Sequence, residues 1–206
     1  MHPADIWRHL GGRGDAPSCL GSCAGPLLIL GGGRSVWEDF DRVRPWKGEI
    51  MAVNDIGAFL HERVRHWVTL HPEYFPGWRT YRQKHLYGQG IPATCHSHKS
   101  REGVDKVWPV ENVGGTSGLF AVFIGLMLGY SEIVLGGVPM TDDGHFFDAP
   151  WYRSDFQDKA ISFVWRQARD NIFAGRVKSL SGNTRDWLGA PAGLDDSRLH
   201  LVNGAP

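Results

Sequence analysis

The stretch from Gly114 to Met140 constrains the fold more than any other part of the chain. Between Leu119 and Leu128 every residue is apolar or glycine, which predicts a helix covered by protein on all sides. A helix of about 10–14 residues is too short to cross a bilayer, which takes about 20, so we expect a core helix. The sequence SEIVLGG follows it and is typical of a buried strand that ends in glycines.

Small polar residues precede this helix. Thr116 and Ser117 occupy the predicted N-cap position, beside Gly114, Gly115 and Gly118. The first turn of a helix has free backbone N–H groups, which attract anions and phosphate in particular. The sequence therefore predicts an anion-binding site at this helix end, with a nucleotide as the first candidate ligand.

Composition limits the classes of protein to consider. With 206 residues and 42% hydrophobic content, the chain is expected to form one domain with a full-sized core. Lysine plus arginine equals aspartate plus glutamate at 22 each, so no global charge favours nucleic acid or a membrane surface. No apolar run of about 18 residues and no leader pattern is present, which predicts a soluble protein. Three cysteines indicate a reducing compartment, the cytoplasm.

Strand patterns alternate with helix patterns along most of the chain. Residues 1–25 are expected to be an irregular arm with one helical turn near Ile6, and residues 191–206 a loosely ordered tail. Between them, residues 26–190 predict a Rossmann-like nucleotide-binding domain of α/β class, with a single doubly wound, mainly parallel sheet. A helix is predicted over 155–173, and residues 141–154 predict a polar and aromatic lid loop. The predicted strands are 26–33, 49–55, 64–72, 91–96, 105–110, 131–137 and 176–182.

Several predicted strands end in glycine or in polar residues. Because parallel strands share one carboxyl edge, these groups are expected to converge on a pocket. Gly32 and Gly33 would let phosphate or ribose approach the backbone, and Asn54 or Asp55 would bind a base or a hydroxyl group. The alternative is that the glycines only form tight turns and that the polar residues cap helices. The spacing of GGGRS is neither a dinucleotide fingerprint nor a P-loop, which argues against a Rossmann dehydrogenase or a P-loop kinase.

The lid holds the residues most suited to catalysis. His145 could act as a general acid or base or hold a phosphate, or it could be an exposed loop histidine. Arg153 could clamp a phosphate. Asp142 and Asp143 could hold Mg²⁺ on a nucleotide's phosphates, although paired loop aspartates are usually just solvated.

Other histidines fit weaker patterns. His71 ends the third predicted strand and is open to the same two interpretations as His145. Cys95, His96 and His98 form a C-H-x-H cluster, but without a second distant cluster this spacing predicts no metal site.

Four segments together resemble the bacterial sialyltransferase-like fold, which includes small α-2,3-sialyltransferases and pterin pyrophosphokinase-like proteins. GGGRS resembles the loop after the family's first strand, and AVND its asparagine-bearing second strand. The segment GGTSGLFAVFIGLMLGYSEIVLGG is similar to its Thr-Ser-Gly helix, Leu-Gly-Tyr turn and next strand, and SGNTR to a Ser-x-Asn-Thr segment. The chain also resembles small phage-encoded proteins labelled as morphogenetic factors.

The resemblance implies a cytidine-type nucleotide or nucleotide-sugar donor. A uridine-type donor is the other option, and a requirement for Mg²⁺ is left open. At the family's catalytic histidine this chain has Leu180, and its phosphate-holding tyrosine pair appears as Thr141 and His145. The residues implied to line the nucleotide are Gly32, Ser35, Asn54, Thr116, Ser117, Gly118, Gly137 and Val138.

The sequence therefore predicts a nucleotide- or nucleotide-sugar-dependent transferase of glycosyltransferase type. His145 is the expected acid–base residue and Arg153 the expected clamp. The acceptor is left open as a glycan or, if a phage carries the gene, a modified DNA base, and homo-oligomerisation is open too. The alternatives are a pyrophosphokinase-like phosphoryl transferase and a non-catalytic nucleotide-binding or virion-assembly protein.

Overall fold

Seven short strands form one sheet within residues 1–86, 94–153 and 159–194, the residues that the computed structural model describes. The strands are β1 (Pro26–Leu30), β2 (Glu49–Val53), β3 (His66–Val68), β4 (Thr94–Ser97), β5 (Lys106–Val107), β6 (Glu132–Gly136) and β7 (Val177–Ser179). Their spatial order is β5-β4-β3-β2-β1-β6-β7, and every neighbouring pair is parallel.

The order of the strands creates a switch point beside β1. From β1 the chain adds strands outward to β5, and it then returns to place β6 on the other side of β1. Leu30 is in register with Ala52 on one side and with Gly136 on the other, so the loops after β1, β2 and β6 leave the sheet together. Open α/β sheets bind ligands in the crevice at such a point. The predicted α/β fold with a doubly wound parallel sheet is confirmed.

Helices pack on both faces of the sheet. Leu27 and Ile29 of β1 belong to one apolar cluster, and Leu28 and Leu30 belong to another, as the alternation of a strand requires. None of the helices within the described residues combines the length and the apolar character needed to cross a membrane. The helices are α1 (Pro3–His9), α2 (Val36–Val43), α3 (Ile56–Phe59), α4 (Phe75–His85), α5 (Ser117–Leu128), α6 (Lys159–Ala168) and α7 (Gly182–Leu188).

Helix α5 is buried along its whole length, as the sequence predicts. All of its residues are buried, and it packs against β1, β2, β3 and β6. The Thr116 hydroxyl oxygen accepts a hydrogen bond from the Leu119 N–H at 3.2 Å, which caps the first turn. The helix ends at Gly129, whose φ of 100° is accessible to glycine at little cost. Both predicted ends of this helix are confirmed.

The helical turn predicted near Ile6 is present, as part of a helix that is longer than one turn. Residues 3–9 form α1, which begins at Pro3 with His2 as its N-cap. Ile6, Trp7 and Leu10 are buried and belong to the same apolar cluster as α5. The physical reason is that α5 is apolar on every side, so its outer face needs a cover that the sheet cannot supply. The start of the arm therefore belongs to the core of the domain, although residues 1–25 were predicted to lie outside it.

Other predicted elements are shorter than expected or partly beyond the described residues. The fourth strand is described from Thr94, since residues 91–93 lie outside the described part of the chain. The helix predicted over 155–173 is described from Lys159, and its last turn (Arg169–Phe173) is π-helical. Of the predicted tail, residues 195–206 lie outside the described residues.

A chain of buried polar side chains crosses the core beside β3. The Trp108 indole can only donate, so its hydrogen bond of 2.9 Å makes His96 Nδ1 an acceptor. Neutral His96 then donates from Nε2 to His66 Nδ1 at 3.0 Å. His66 in turn donates from Nε2 to the Tyr130 hydroxyl at 2.9 Å, and Tyr130 donates to Glu49. The geometry thus fixes one tautomer for each neutral histidine.

The buried histidines of this hydrogen-bonded network predict that the free energy of unfolding falls on acidification. Burial lowers the pKa of His66 from 6.5 to about 4, and burial also lowers the pKa of His96. Between these pH values the unfolded chain binds more protons than the folded protein, so stability is full above pH 6.5 and declines as the pH falls toward 4. For His66 alone the decline is about 3 kcal/mol.

Urea unfolding at pH 7.5 and at pH 4.5 measures this effect. His66→Gln should show a smaller loss of stability between the two pH values than the wild type. His61→Gln, which changes an exposed histidine, is the control and should keep the wild-type loss. Equal losses for wild type and His66→Gln would rule out His66 as a source of the pH dependence.

Candidate active site

A cavity of about 310 Å³ lies at the carboxyl ends of β1, β2, β3 and β6. Nine of the ten predicted nucleotide-binding residues line it, together with the predicted catalytic residue His145. The loops after β1 and β2 contribute Gly32, Gly33, Asn54 and Asp55. The start of α5 and the loop after β6 contribute Thr116, Ser117, Gly118, Gly137 and Val138.

The first turn of α5 presents free hydrogen-bond donors to this cavity. Within the described residues, neither the Ser117 N–H nor the Gly118 N–H has an acceptor. The Ser117 hydroxyl oxygen accepts the Leu70 N–H at 3.1 Å, which leaves the hydroxyl proton available for a ligand. Two backbone N–H groups and one hydroxyl group therefore indicate an anion-binding site at the positive end of the helix dipole.

Asn54 is held in an unusual conformation at the floor of the cavity. Its φ of 58° places it in the left-handed region, which asparagine tolerates better than most residues. Its backbone carbonyl accepts the Trp67 indole N–H, and its side-chain oxygen accepts the Thr69 hydroxyl at 2.8 Å. The side-chain amide NH₂ has no acceptor among the described residues, so it can donate to a ligand.

The glycines of the loops after β1 and β6 serve mainly to let those loops pack. A Cβ atom at Gly31 would lie 2.7 Å from the Gly137 carbonyl oxygen, closer than two such atoms can approach. Gly32 differs, because a Cβ atom there would lie 3.1 Å from Asp55 Oδ1 and 3.4 Å from His145 Cδ2. Gly31 is therefore a glycine because the loops pack tightly around it. Gly32 instead keeps space open between the side chains of Asp55 and His145.

The Asp39 carboxylate joins three of the loops around the cavity. Asp39 is buried in α2, and its Oδ2 accepts the Gly137 N–H at 2.8 Å. The same oxygen accepts the Ser181 hydroxyl at 2.6 Å and the Ser35 hydroxyl at 2.9 Å. Ser35 was expected to line the nucleotide, but its side chain is directed to Asp39, and it does not line the cavity. It also makes no cap hydrogen bond to α2.

The lid loop lies over the loop after β1. The backbone N–H of Phe146 donates to the Gly32 carbonyl at 2.9 Å, and His145 forms an isolated antiparallel bridge with Gly33. Arg34 fixes the lid further, since its guanidinium donates to the carbonyl oxygens of Asp143 and Ala149. These contacts bring His145 to the cavity.

Two carboxylates flank the His145 ring. Asp148 Oδ2 accepts the backbone N–H of His145 at 2.7 Å and lies 3.4 Å from its Nδ1. The Cδ2 edge of the ring faces Gly32 and the Asp55 side. Burial raises the pKa of Asp55, while nearby His145 lowers it and Asp148 raises it again. The site thus contains a histidine whose backbone is held by one carboxylate, and a second carboxylate in a half-buried position.

Arg153 is not brought to the cavity. It is exposed, and its guanidinium donates to the carbonyl oxygens of Pro150 and Tyr152 in its own loop. Neither lysine nor arginine lines the cavity in the described part of the chain. A bound phosphate would therefore be met by backbone N–H groups, hydroxyl groups and histidines.

The two lid aspartates, for which Mg²⁺ binding was one of two interpretations, do not lie at the cavity. Neither Asp142 nor Asp143 lines the cavity, and Asp143 Oδ2 accepts the Thr141 hydroxyl at 2.9 Å. Leu180, at the position implied for a catalytic histidine, is buried in an apolar cluster.

A second group of metal-ligand types, Cys23, Glu49 and His66, lies at the opposite edge of the sheet, with ligand atoms within 4.8 Å of one another. His66 Nε2 carries a proton in the buried chain described above, so it would have to lose that proton to bind an ion. His96 of the C-H-x-H cluster belongs to the same chain and is fully hydrogen-bonded. The hydrogen bonding thus disfavours a metal at either group.

No protein-family model matches the chain, and no curated protein matches its sequence. Solved structures do match. The sialyltransferase CstII from Campylobacter jejuni, in complex with the substrate analogue cytidine-5'-monophosphate, is 15% identical with a TM-score of 0.55, over 82% of this chain and 86% of that one. The fold is sialyltransferase-like.

Two further structures have the same sialyltransferase-like fold. The monofunctional α-2,3-sialyltransferase Cst-I from Campylobacter jejuni is 12% identical with a TM-score of 0.55, over 86% of this chain and 82% of that one. CST-II in complex with a trisaccharide acceptor and CMP is 14% identical with a TM-score of 0.52, over 83% and 88% of the two chains.

Sequence reasoning missed three residues that shape the site: Asp39, Arg34 and Asp148. Asp39 lies in the charged sequence WEDFDRV, and only its spacing of four residues from Ser35 hinted at a partner. Asp148 is three residues after His145, a spacing that could have suggested an orienting carboxylate. His71 and Thr141 also line the cavity; the sequence left His71 open as a functional or an exposed histidine, and the resemblance placed Thr141 at a phosphate-holding position.

Asp39→Asn should destabilise the protein by about 2 kcal/mol or more. The change removes the charge that receives three donors and leaves a buried amide without matching acceptors. Urea unfolding checks this, with Asp41→Asn as the control because the Asp41 side chain is 70% exposed. The control should stay within about 0.5 kcal/mol of wild type. A wild-type free energy of unfolding for Asp39→Asn would contradict the role of this carboxylate.

Proposed function

We propose that the chain is a nucleotide-sugar-dependent transferase of glycosyltransferase type whose donor binds at the start of α5. The observation that supports this most is the free N–H groups of Ser117 and Gly118 in a cavity at the switch point of the sheet. Such donors complement a phosphate that gains charge as a sugar leaves it. The sialyltransferase-like fold agrees with this placement.

A cytidine nucleotide is the donor type with the most support. Among the similar solved structures, one contains cytidine-5'-monophosphate and another contains the substrate analogue CMP-3FNeuAc. A cavity of about 310 Å³ is within the usual range for small-molecule sites. The free amide NH₂ of Asn54 would donate to the nucleotide, whereas the Ser117 hydroxyl would donate to its phosphate. A uridine-type donor is the competing choice.

Transfer would depend on positioning and on charge stabilisation. The N–H groups of α5 would stabilise the leaving phosphate, and His145 would donate a proton or a hydrogen bond to it. The lid, already joined to Gly32 and Arg34, would keep water away from the donor. Arg153 has no part in this proposal, because its side chain binds its own loop.

A glycan is the acceptor that the comparisons favour. One similar structure contains a trisaccharide acceptor. A modified DNA base is the other acceptor class, tied to a phage origin, and the zero net charge of the chain favours it less. The cytoplasm is the proposed place of the reaction, because the chain has only three cysteines.

A nucleotide-binding protein without transfer activity is the second candidate function. The buried Leu180 favours it, because that position supplies no acid or base. A Mg²⁺-dependent pyrophosphokinase-like reaction has less support, since Asp142 and Asp143 do not line the cavity. The transferase and the non-catalytic binding protein would both bind a nucleotide, but only the transferase would release CMP from a CMP-linked sugar.

Asn54→Asp should weaken CMP binding at least tenfold in isothermal titration calorimetry. The change replaces a donor with a negative charge of the same size, while its side-chain oxygen still accepts the Thr69 hydroxyl. Asn171→Asp makes the same change at an exposed position and should leave the affinity within about twofold. If wild type fails to bind CMP or UMP at millimolar concentration, both nucleotide functions are excluded. CMP release from CMP-N-acetylneuraminic acid by wild type then separates transfer from binding alone.

A further inference from the structure

Three titratable side chains line the cavity within the described residues: Asp55, His71 and His145. Transfer of a sugar to a hydroxyl group needs one group to accept the hydroxyl proton, and a second group that stabilises the leaving phosphate. The geometry of the three side chains differs enough to separate these roles.

Asp55 is the one carboxylate among the described lining residues. It immediately precedes α3 and lies two residues after β2, the middle strand of the sheet. Its Oδ1 faces Gly32, where a Cβ atom would lie 3.1 Å away, so the glycine leaves space in front of the carboxylate. Within the described residues it forms no ion pair with lysine or arginine, which keeps its oxygens available to a substrate.

The environment of Asp55 also strengthens it as a base. Its carboxylate is half-buried beside the cavity, and burial raises its pKa above the ordinary value of 3.8. The charged and titratable groups that face it are His145, which lowers this pKa, and Asp148, which raises it; the backbone amides of residues 55 and 56 lower it as well. A carboxylate whose pKa is raised in this way is more basic than an exposed one.

His71 is less suited to the same role. Its side chain is 59% exposed at the rim, and its Nδ1 lies 3.7 Å from Glu73 Oε1, too far for a hydrogen bond that would orient it. The His145 side chain is exposed to a similar extent, 54%, but Asp148 Oδ2 accepts its backbone N–H at 2.7 Å, which fixes the position of the residue in the lid. The ring edge that carries Cδ2 faces the cavity beside Gly32.

We propose that Asp55 is the general base that accepts the proton of the acceptor hydroxyl group. This proposal rests on the transferase function proposed above. The acceptor oxygen forms a bond to the anomeric carbon of the donor sugar while the bond from that carbon to the phosphate oxygen breaks. The electron pair of the broken bond leaves with the CMP phosphate, and the hydroxyl proton moves to a carboxylate oxygen of Asp55. His145 and the N–H groups of α5 stabilise the departing phosphate, and Asp148 positions His145.

The test measures CMP release from CMP-N-acetylneuraminic acid and, separately, CMP affinity by calorimetry. Asp55→Asn should bind CMP within about threefold of wild type, because the amide has the same shape and adds no repulsion. Its rate of CMP release should fall at least about 100-fold, as expected when a general base is removed. His61→Gln, an exposed histidine outside the cavity, is the control and should keep the wild-type rate.

Two readouts distinguish a base from a residue that only supports the fold. Sodium formate should restore CMP release in Asp55→Ala at least tenfold, since a small carboxylate can occupy the space that the side chain leaves. The acid limb of the pH–rate profile should lie above the ordinary carboxylate range in wild type and disappear in Asp55→Asn.

Each outcome decides the proposal. Wild-type CMP release by Asp55→Asn overturns the role of Asp55 and leaves the transferase function standing. The same holds if His71→Gln loses release while Asp55→Asn retains it, which would assign the base to His71. If wild type binds CMP but releases none from the donor, the transferase function fails, and the role of Asp55 fails with it.

Discussion

The buried carboxylate of Asp39 holds the cavity together. One of its oxygens receives hydrogen bonds from the loops after β1, β6 and β7, which are far apart in sequence. The Gly137 N–H among these donors fixes the loop that lines the cavity beside α5. Because hydrogen bonds to a buried charge are short and directional, the carboxylate holds these loops in one arrangement. Asp39 thereby fixes Gly137 at the cavity and links it to Ser35 and Ser181.

Helix α5 then gives the cavity its chemical character. The same helix fills the core on all sides and presents its first turn at the switch point of the sheet. The cover for its outer face comes from α1, so residues at the chain's beginning support the rigidity of the site. Since no lysine or arginine lines the cavity among the described residues, fixed backbone dipoles would bind an anion there. Such dipoles need no reorganisation when charge develops on a leaving group.

Much of this arrangement could be predicted from the sequence, because it follows from local patterns. The continuous apolar run predicts α5, and the glycine-ended or polar-ended strands predict a common edge of a parallel sheet. Gly32, Asn54, Thr116 and Gly137 follow directly from those two patterns, and the structure places all four at the cavity.

The remaining features depend on contacts that no local pattern reveals. Ser35 follows a strand as the cavity residues do, yet its hydroxyl group donates to Asp39 instead of lining the cavity. Another donor to Asp39 is Ser181, which is 142 residues further along the chain than Asp39. The direction of Arg153 depends on the turn of its own loop, which composition does not specify. The burial of α1 is equally hidden, because it depends on contact with the outer face of a helix more than 100 residues later.

The central claim is that the first turn of α5 binds a nucleotide phosphate, and amide NMR tests it most directly. Titration of ¹⁵N-labelled protein with CMP should shift the Ser117 and Gly118 amide protons downfield in a saturable manner, as expected for N–H groups that gain an anionic acceptor. Cytidine, which lacks the phosphate, should shift them much less. If CMP binds and these two amide signals stay in place, the phosphate lies elsewhere and the account is contradicted.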